Sequence, residues 1–147
     1  MIKPRSILLA EDDVDDRDLF LEAMSLVDPG ILVTTVENGE KLMDHLKQSR
    51  EFPDCIFLDL NMPKKNGADC LKEIRLDEKT QKIPVIIYTT SLNVKDVDET
   101  FRQGASCFIR KPASFRELTD LLKRYLTSSF KNSNQHRMKG NFVLNPR

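Results

Sequence analysis

Several apolar runs in this sequence end in polar residues that could take part in chemistry. Glu11-Asp12-Asp13 follows the first run, Asp59 the third, Thr89 the fourth and Lys111 the fifth. Carboxylates brought within a few ångströms repel one another and hold a shared proton unless a cation lies among them. Mg²⁺ relieves such repulsion, because its preferred ligands are carboxylate oxygens, retained waters and phosphate oxygens. The set therefore predicts a divalent metal site.

Asp59 is the member of this set best suited to covalent chemistry. A carboxylate can accept a phosphoryl group once a cation neutralises the charge, and the product is an acyl phosphate. Lys111 would bring an ammonium to another phosphoryl oxygen, and Thr89 would donate its hydroxyl. Ordinary structural roles remain open for single residues, since Asp12 or Asp13 could cap a helix and Thr89 could be a polar strand end.

The hydrophobic pattern predicts a scaffold that brings these residues together. Short apolar runs alternate with segments of helical period, which is typical of βα units around a parallel sheet. We expect strands at Ser6–Ala10, Ile31–Val36, Cys55–Leu58, Pro84–Tyr88 and Ser106–Ile109. We expect helices around Phe20 to Val27, at Gly39–Arg50, Asn66–Leu76 and Val94–Gly104, and around Leu118 to Tyr125. In such a sheet the ligand crevice lies at the carboxyl ends of the strands.

Local backbone features around the site can also be predicted. Pro112 directly follows Lys111, and a cis bond there would aim the lysine inward, whereas a trans proline would simply open the next helix. Gly67 is expected to permit a positive φ in the loop after the third strand. Gly104 is suited to a helix C-cap.

Composition limits the class of protein. A chain of 147 residues fits one domain, and a formal net charge of zero argues against general nucleic-acid binding. No run is long enough for a membrane span and no signal-peptide pattern opens the chain, so we expect a cytoplasmic protein. Cys55, Cys70 and Cys107 lack the spacing of a disulfide framework or a zinc site.

The chain divides into a mildly acidic domain at residues 1–127 and a basic tail at residues 128–147. The tail contains Lys and Arg but no acidic residue, and it carries the apolar triplet Phe142-Val143-Leu144. Such a segment has too few apolar residues to fold alone. It is either a disordered end or a segment that docks on the domain or across a dimer.

The motifs Ile7–Asp13, Leu58–Pro63 with Gly67, Thr89, and Lys111-Pro112 occur in this order at the predicted strand ends. Together they resemble the receiver domains of two-component response regulators, and the resemblance covers about residues 4 to 127. It implies an α/β fold: a flavodoxin-like, doubly wound, five-stranded parallel sheet of order 2-1-3-4-5 with five helices.

The resemblance also implies a role for each site residue. Glu11 and Asp12 would be the acidic pair that binds Mg²⁺ or Mn²⁺, Asp59 the phosphoacceptor and a metal ligand, and Asn61 would lend its main-chain carbonyl to the metal. Two further residues, Thr89 and Lys111, would contact the phosphoryl group.

Phe108 falls on the position of the family's switch aromatic. In the family this ring packs inward when the threonine hydroxyl is drawn to the phosphate. An ordinary core aromatic is an equally good interpretation of Phe108.

By the same resemblance the protein would be a signalling switch that accepts a phosphoryl group from a sensor histidine kinase, not a turnover enzyme. The acid-rich Glu11–Asp16 segment, Asn61 and the short tail are similar to single-domain receivers that partner bacteriophytochrome-type kinases. We expect no DNA-binding domain. Output would therefore pass through a protein partner or homodimer, or the protein would act as a phosphorelay intermediate or phosphate sink.

Two other classes share part of the pattern. A haloacid-dehalogenase-type phosphatase also uses a strand-end aspartate with Mg²⁺, but its second acid is replaced here by Asn61. A flavodoxin-like cofactor carrier would need a phosphate-binding loop rich in Gly or Thr after the first strand, where this chain has acids that repel phosphate.

Overall fold

The computed structural model describes residues 3–130 and 139–146. Five parallel strands form one sheet in the order β2-β1-β3-β4-β5, which is the order that the resemblance to receiver domains implies. Their bounds are β1 Ser6–Ala10, β2 Leu32–Val36, β3 Cys55–Leu58, β4 Val85–Thr89 and β5 Cys107–Arg110. The order reverses between β1 and β3, and this switch point is where an open α/β sheet forms its ligand crevice.

Five α-helices connect and follow the strands. They are α1 Val14–Val27, α2 Gly39–Gln48, α3 Gly67–Leu76, α4 Val94–Arg102 and α5 Phe115–Arg124. Each begins after a residue whose side chain accepts a hydrogen bond from a backbone N–H of the first turn: Asp13, Asn38, Asn66, Asn93 and Ser114. A π-helical turn, Tyr125–Ser129, continues α5 past the predicted domain boundary.

Two predicted helices end earlier than expected. The backbone of Ser49 is already extended, so α2 stops at Gln48. Gly104 has a φ of 98°, a left-handed conformation that only glycine adopts without strain, and α4 therefore ends at Arg102.

The sheet is buried on both faces. One face packs against α1 and α5 through side chains such as Phe20, Phe57 and Tyr125. The other packs against α2, α3 and α4. Every residue of β3 and β4 is buried, which matches their unbroken apolar sequences. The three cysteines are free and buried.

The described part of the tail lies along the outer edge of β5. The Phe108 N–H donates to the Phe142 carbonyl at 2.9 Å, and the Leu144 N–H donates to the Phe108 carbonyl at 2.9 Å. This pairing is parallel. Lys131 and Arg137, two of the predicted tail cations, lie outside the described residues. None of the described helices combines the length and apolar character needed to cross a bilayer.

Candidate functional site

The predicted site residues meet at the carboxyl-end rim of the sheet. Ala10 is paired in register with Leu58, so Glu11 and Asp59 leave the adjacent strands β1 and β3 at the same level. The Asp59 N–H donates to the Ala10 carbonyl at 3.1 Å, which fixes the start of the loop after β3. The strand ends thus bring together residues that are far apart in sequence.

Three carboxylates form a cluster at this rim. One oxygen from each of Glu11, Asp12 and Asp59 lies within 4.8 Å of the others. Glu11 and Asp59 are buried and Asp12 is exposed, so the cluster opens to solvent on one side. Asp13 has the ordinary role instead, because its side chain caps α1 by accepting the Asp16 N–H at 2.9 Å.

Lys111 extends into the acidic cluster from the end of β5. Its Nζ lies 2.5 Å from Glu11 Oε1, 2.8 Å from Asp16 Oδ2 and 3.1 Å from Asp59 Oδ2. The side chain is 9% exposed. The ammonium is also 5.5 Å from the centre of the Tyr88 ring, a cation–π distance. One ammonium is thus shared among three carboxylates.

The cis alternative for the Lys111–Pro112 bond is not found, since no cis peptide bond occurs among the described residues. With the Lys111–Pro112 bond in the trans form, the Lys111 side chain still reaches the carboxylate cluster. Its flexible four-carbon stem spans the distance without help from the backbone.

The electrostatics of the cluster favour an additional cation. Burial raises the pKa of Glu11 well above its usual range, and the nearby Asp59 charge adds to this effect although Lys111 opposes it. Burial alone would lower the pKa of Lys111, but hydrogen bonds to Asp16 and Glu11 raise it above its ordinary value. One ammonium thus does not balance the carboxylates. The oxygen donors and their residual negative charge fit Mg²⁺ or Mn²⁺.

Thr89 ends β4, and Phe108 lies on the neighbouring strand β5. Thr89 is fully buried, and its hydroxyl has no hydrogen-bond partner among the described residues. A buried hydroxyl without a partner is unfavourable, and a phosphoryl oxygen placed nearby would accept its hydrogen bond. The Phe108 ring is also fully buried.

The backbone of the loop between β3 and α3 contacts the Asp59 side chain. The Asn61 N–H donates to Asp59 Oδ1 at 3.3 Å, so the segment expected to supply a metal-binding carbonyl is already in contact with Asp59. The expected positive φ at Gly67 is wrong: the left-handed residue of this loop is Lys64, with a φ of 71°. Gly67 is needed for close approach instead, because a Cβ there would lie 2.2 Å from the Asp59 carbonyl oxygen.

Two residues of the site were not predicted. Asp16 binds the Lys111 ammonium, and Tyr88 lies beneath it. Asp16 carried a weak signal, because it belongs to the acid-rich Glu11–Asp16 segment. Tyr88 carried none, because the sequence predicts only a strand residue there.

The fold and the site together define a receiver. The family model described as "Response regulator receiver domain" matches residues 7–123, and the chain belongs to this family.

Among individual proteins, the chain is 35% identical to the response regulator Rcp1 of Synechocystis sp. over 82% of this chain and 83% of Rcp1. A crystal structure of the phosphorylated cyanobacterial phytochrome response regulator RcpA is similar, with a TM-score of 0.78 and 33% identity over 85% of this chain and 95% of RcpA. The Mn²⁺-bound form of Rcp1 gives a TM-score of 0.77 at 29% identity, over 85% of this chain and 96% of that one.

Proposed function

We propose that this protein is a single-domain, cytoplasmic response regulator that accepts a phosphoryl group from a sensor histidine kinase on Asp59, with Mg²⁺ or Mn²⁺ bound at Glu11, Asp12, Asp59 and the main-chain carbonyl of Asn61. The observation that carries the proposal is the position of the Asp59 carboxylate. It is buried at the end of a central strand, within 4.8 Å of two other carboxylates and 3.1 Å from an ammonium.

The reaction transfers a phosphoryl group from nitrogen to oxygen. The P–N bond of the kinase phosphohistidine breaks as an Asp59 oxygen forms the O–P bond, and the released imidazole nitrogen takes up a proton. A metal held by these residues would supply charge neutralisation for the phosphoryl oxygens. The Lys111 ammonium binds a further phosphoryl oxygen, and Thr89 donates its hydroxyl to another. These residues hold the product and do not themselves accept the group.

The relatives support a light-regulated kinase as the partner. Rcp1 and RcpA are response regulators, and RcpA is described as a phytochrome response regulator. We therefore expect a kinase of the bacteriophytochrome class to phosphorylate this chain. The output would then pass through a protein partner or a homodimer.

The test is phosphorylation of the full chain by acetyl phosphate in the presence of Mg²⁺. Wild-type protein should gain one hydroxylamine-sensitive acyl phosphate, whereas Asp59→Asn should gain none, because the nucleophilic oxygen is lost. EDTA should stop labelling, since the carboxylates then lose the cation that neutralises them. Labelling of Asp59→Asn at the wild-type rate would refute the assignment.

A kinase assay distinguishes a switch from a phosphorelay intermediate. Phosphorylated protein mixed with unphosphorylated kinase should keep its label if it acts as a switch. Rapid return of the label to a histidine would instead favour the relay or phosphate-sink function. Sustained phosphate release from a small phosphoester would favour a phosphatase, contrary to the proposal.

A further inference from the structure

The tail segment Phe142–Leu144 is bonded to a single residue of β5. Phe108 donates its N–H to this segment and accepts an N–H from it, so both of its backbone groups are satisfied there. An edge strand otherwise presents such groups unpaired. The contact thus fixes β5 from its outer side at one defined position.

Side chains strengthen the same contact. Phe142 is 1% exposed, and its ring centre lies 5.2 Å from that of Phe101 on α4 and 6.1 Å from that of Phe108. Both pairs have the edge-to-face geometry that aromatic rings favour. Phe142 therefore covers Phe108 and ties β5 to α4.

The inner edge of β5 pairs with β4, and β4 ends in the candidate site residue Thr89. Phe108 is in register with Ile87, and Thr89 is two residues further along β4, so all three side chains lie on one face of the sheet. At the end of β5, the Lys111 N–H donates to the Thr89 carbonyl at 2.7 Å. A phosphoryl group on Asp59 would engage the Thr89 hydroxyl and the Lys111 ammonium together. Both groups belong to the strand pair that the tail segment fixes from outside.

We propose that Phe142–Leu144 is an intramolecular ligand of the β5 edge, and that its docking and the phosphorylation of Asp59 favour each other. The inference rests on the proposed function, because it needs a phosphoryl group at Asp59. Its physical basis is ordering. With the segment docked, Phe108 is held inward and the end of β5 is already fixed, so binding of the phosphoryl group by Thr89 and Lys111 costs less conformational entropy.

The test uses the full chain, with Mg²⁺ and beryllofluoride as the phosphoryl probe. Beryllofluoride affinity is measured by NMR titration for wild type, Phe142→Ala and Leu144→Pro. The proline variant leaves Phe142 in place but removes the N–H that binds Phe108. Both variants should bind beryllofluoride at least about fivefold more weakly than wild type, within the usual range of coupling between sites. Phe130→Ala is the control, since Phe130 contacts Tyr125 in the other core cluster, and it should bind as wild type does.

Coupling is reciprocal, so a second measurement must agree with the first. In wild type, beryllofluoride should slow hydrogen exchange at the Phe108 and Leu144 amides. The factor of slowing should equal the ratio between the wild-type affinity for beryllofluoride and the affinity of the variants. Unchanged exchange, or equal or tighter binding by a folded Leu144→Pro protein, would overturn the coupling while leaving the proposed function intact. If wild type itself bound no beryllofluoride, the proposed function would fail and the coupling with it.

Discussion

At the scale of single residues, the Lys111 ammonium is the cation that offsets the negative charge of the site's carboxylates. Its ammonium faces Glu11, Asp16 and Asp59, and Asp12 lies just beyond. Charges this close to the interior are costly unless paired. When a metal engages Glu11, Asp12 and Asp59, Asp16 is the one carboxylate partner of Lys111, among the residues that the structure describes, that lies outside the metal cluster. Asp16 is therefore placed to keep the ammonium oriented toward Asp59.

Asp16→Asn should weaken beryllofluoride binding, because the Lys111 ammonium loses the partner that orients it. The loss should be about fivefold, or about 1 kcal/mol, because Asp16 is partly exposed and solvent screens its ion pair. Simple electrostatics predicts the opposite sign, since removing a negative charge near an anion site should tighten anion binding. The measurement is beryllofluoride affinity at saturating Mg²⁺.

Asp15→Asn is the matched control for this experiment. It removes the same charge from the adjacent, exposed residue of α1, and it should leave the affinity unchanged or slightly higher. An equal effect of the two variants would show that Asp16 acts only through its charge and not by positioning Lys111.

At the scale of elements, the loop between β3 and α3 is the most constrained part of the site. The Gly67 N–H donates to the Leu60 carbonyl at 3.0 Å, and the chain passes so close to Asp59 that no side chain fits at Gly67. The start of α3 thus packs tightly against the backbone of Asp59.

Gly67→Ala should destabilise the protein by about 1–3 kcal/mol, the usual cost of overpacking. The substitution should also weaken Mg²⁺ binding, because relief of the clash moves the Asp59 backbone and, with it, the Asp59 carboxylate. Urea denaturation and metal titration measure the two effects. Gly140→Ala is the control, because a Cβ there meets nothing within 4 Å. Wild-type metal affinity in a destabilised Gly67→Ala protein would refute the link between this contact and the site.

The elements were more predictable than their contacts. Continuous apolar runs predict buried parallel strands, and the meeting of Glu11, Asp12 and Asp59 follows from parallel strand ends sharing one edge. The Asp16–Lys111 pair joins residues 95 positions apart and depends on the direction of two long side chains, which periodicity does not contain. The pairing of Phe142–Leu144 with β5 was likewise left open, because three apolar residues specify no register.

At the scale of the whole molecule, burial suppresses ionisation of several weak acids. It raises the pKa of the Cys70 thiol to about 11 and that of Cys107 to about 12. Unfolded thiols ionise near pH ~8.5. Between these values the folded protein binds more protons than the unfolded chain, so its stability falls as pH rises.

The urea midpoint should accordingly fall between about pH 8.5 and 10. Cys70→Ala should lower the free energy of unfolding at neutral pH. Its urea midpoint should fall less steeply with pH than that of wild type, because the variant lacks one thiol whose pKa burial raises. Denaturation at several pH values, under reducing conditions, measures both slopes. A midpoint that stayed level or rose across this range would contradict the prediction.

The strand contact at Phe108 also affects how molecules behave at high concentration. A sheet with two free margins can recruit other chains by intermolecular strand pairing, the first step toward aggregation. Here β2 and β5 are the outer strands, and Leu32 on β2 is 67% exposed. The tail covers the other margin at Phe108, so one side of the sheet is protected at that point against self-association through strands. Loss of residues 139–146 would leave the outer edges of both β2 and β5 unpaired. Each molecule would then have the two exposed strand edges that a growing filament requires.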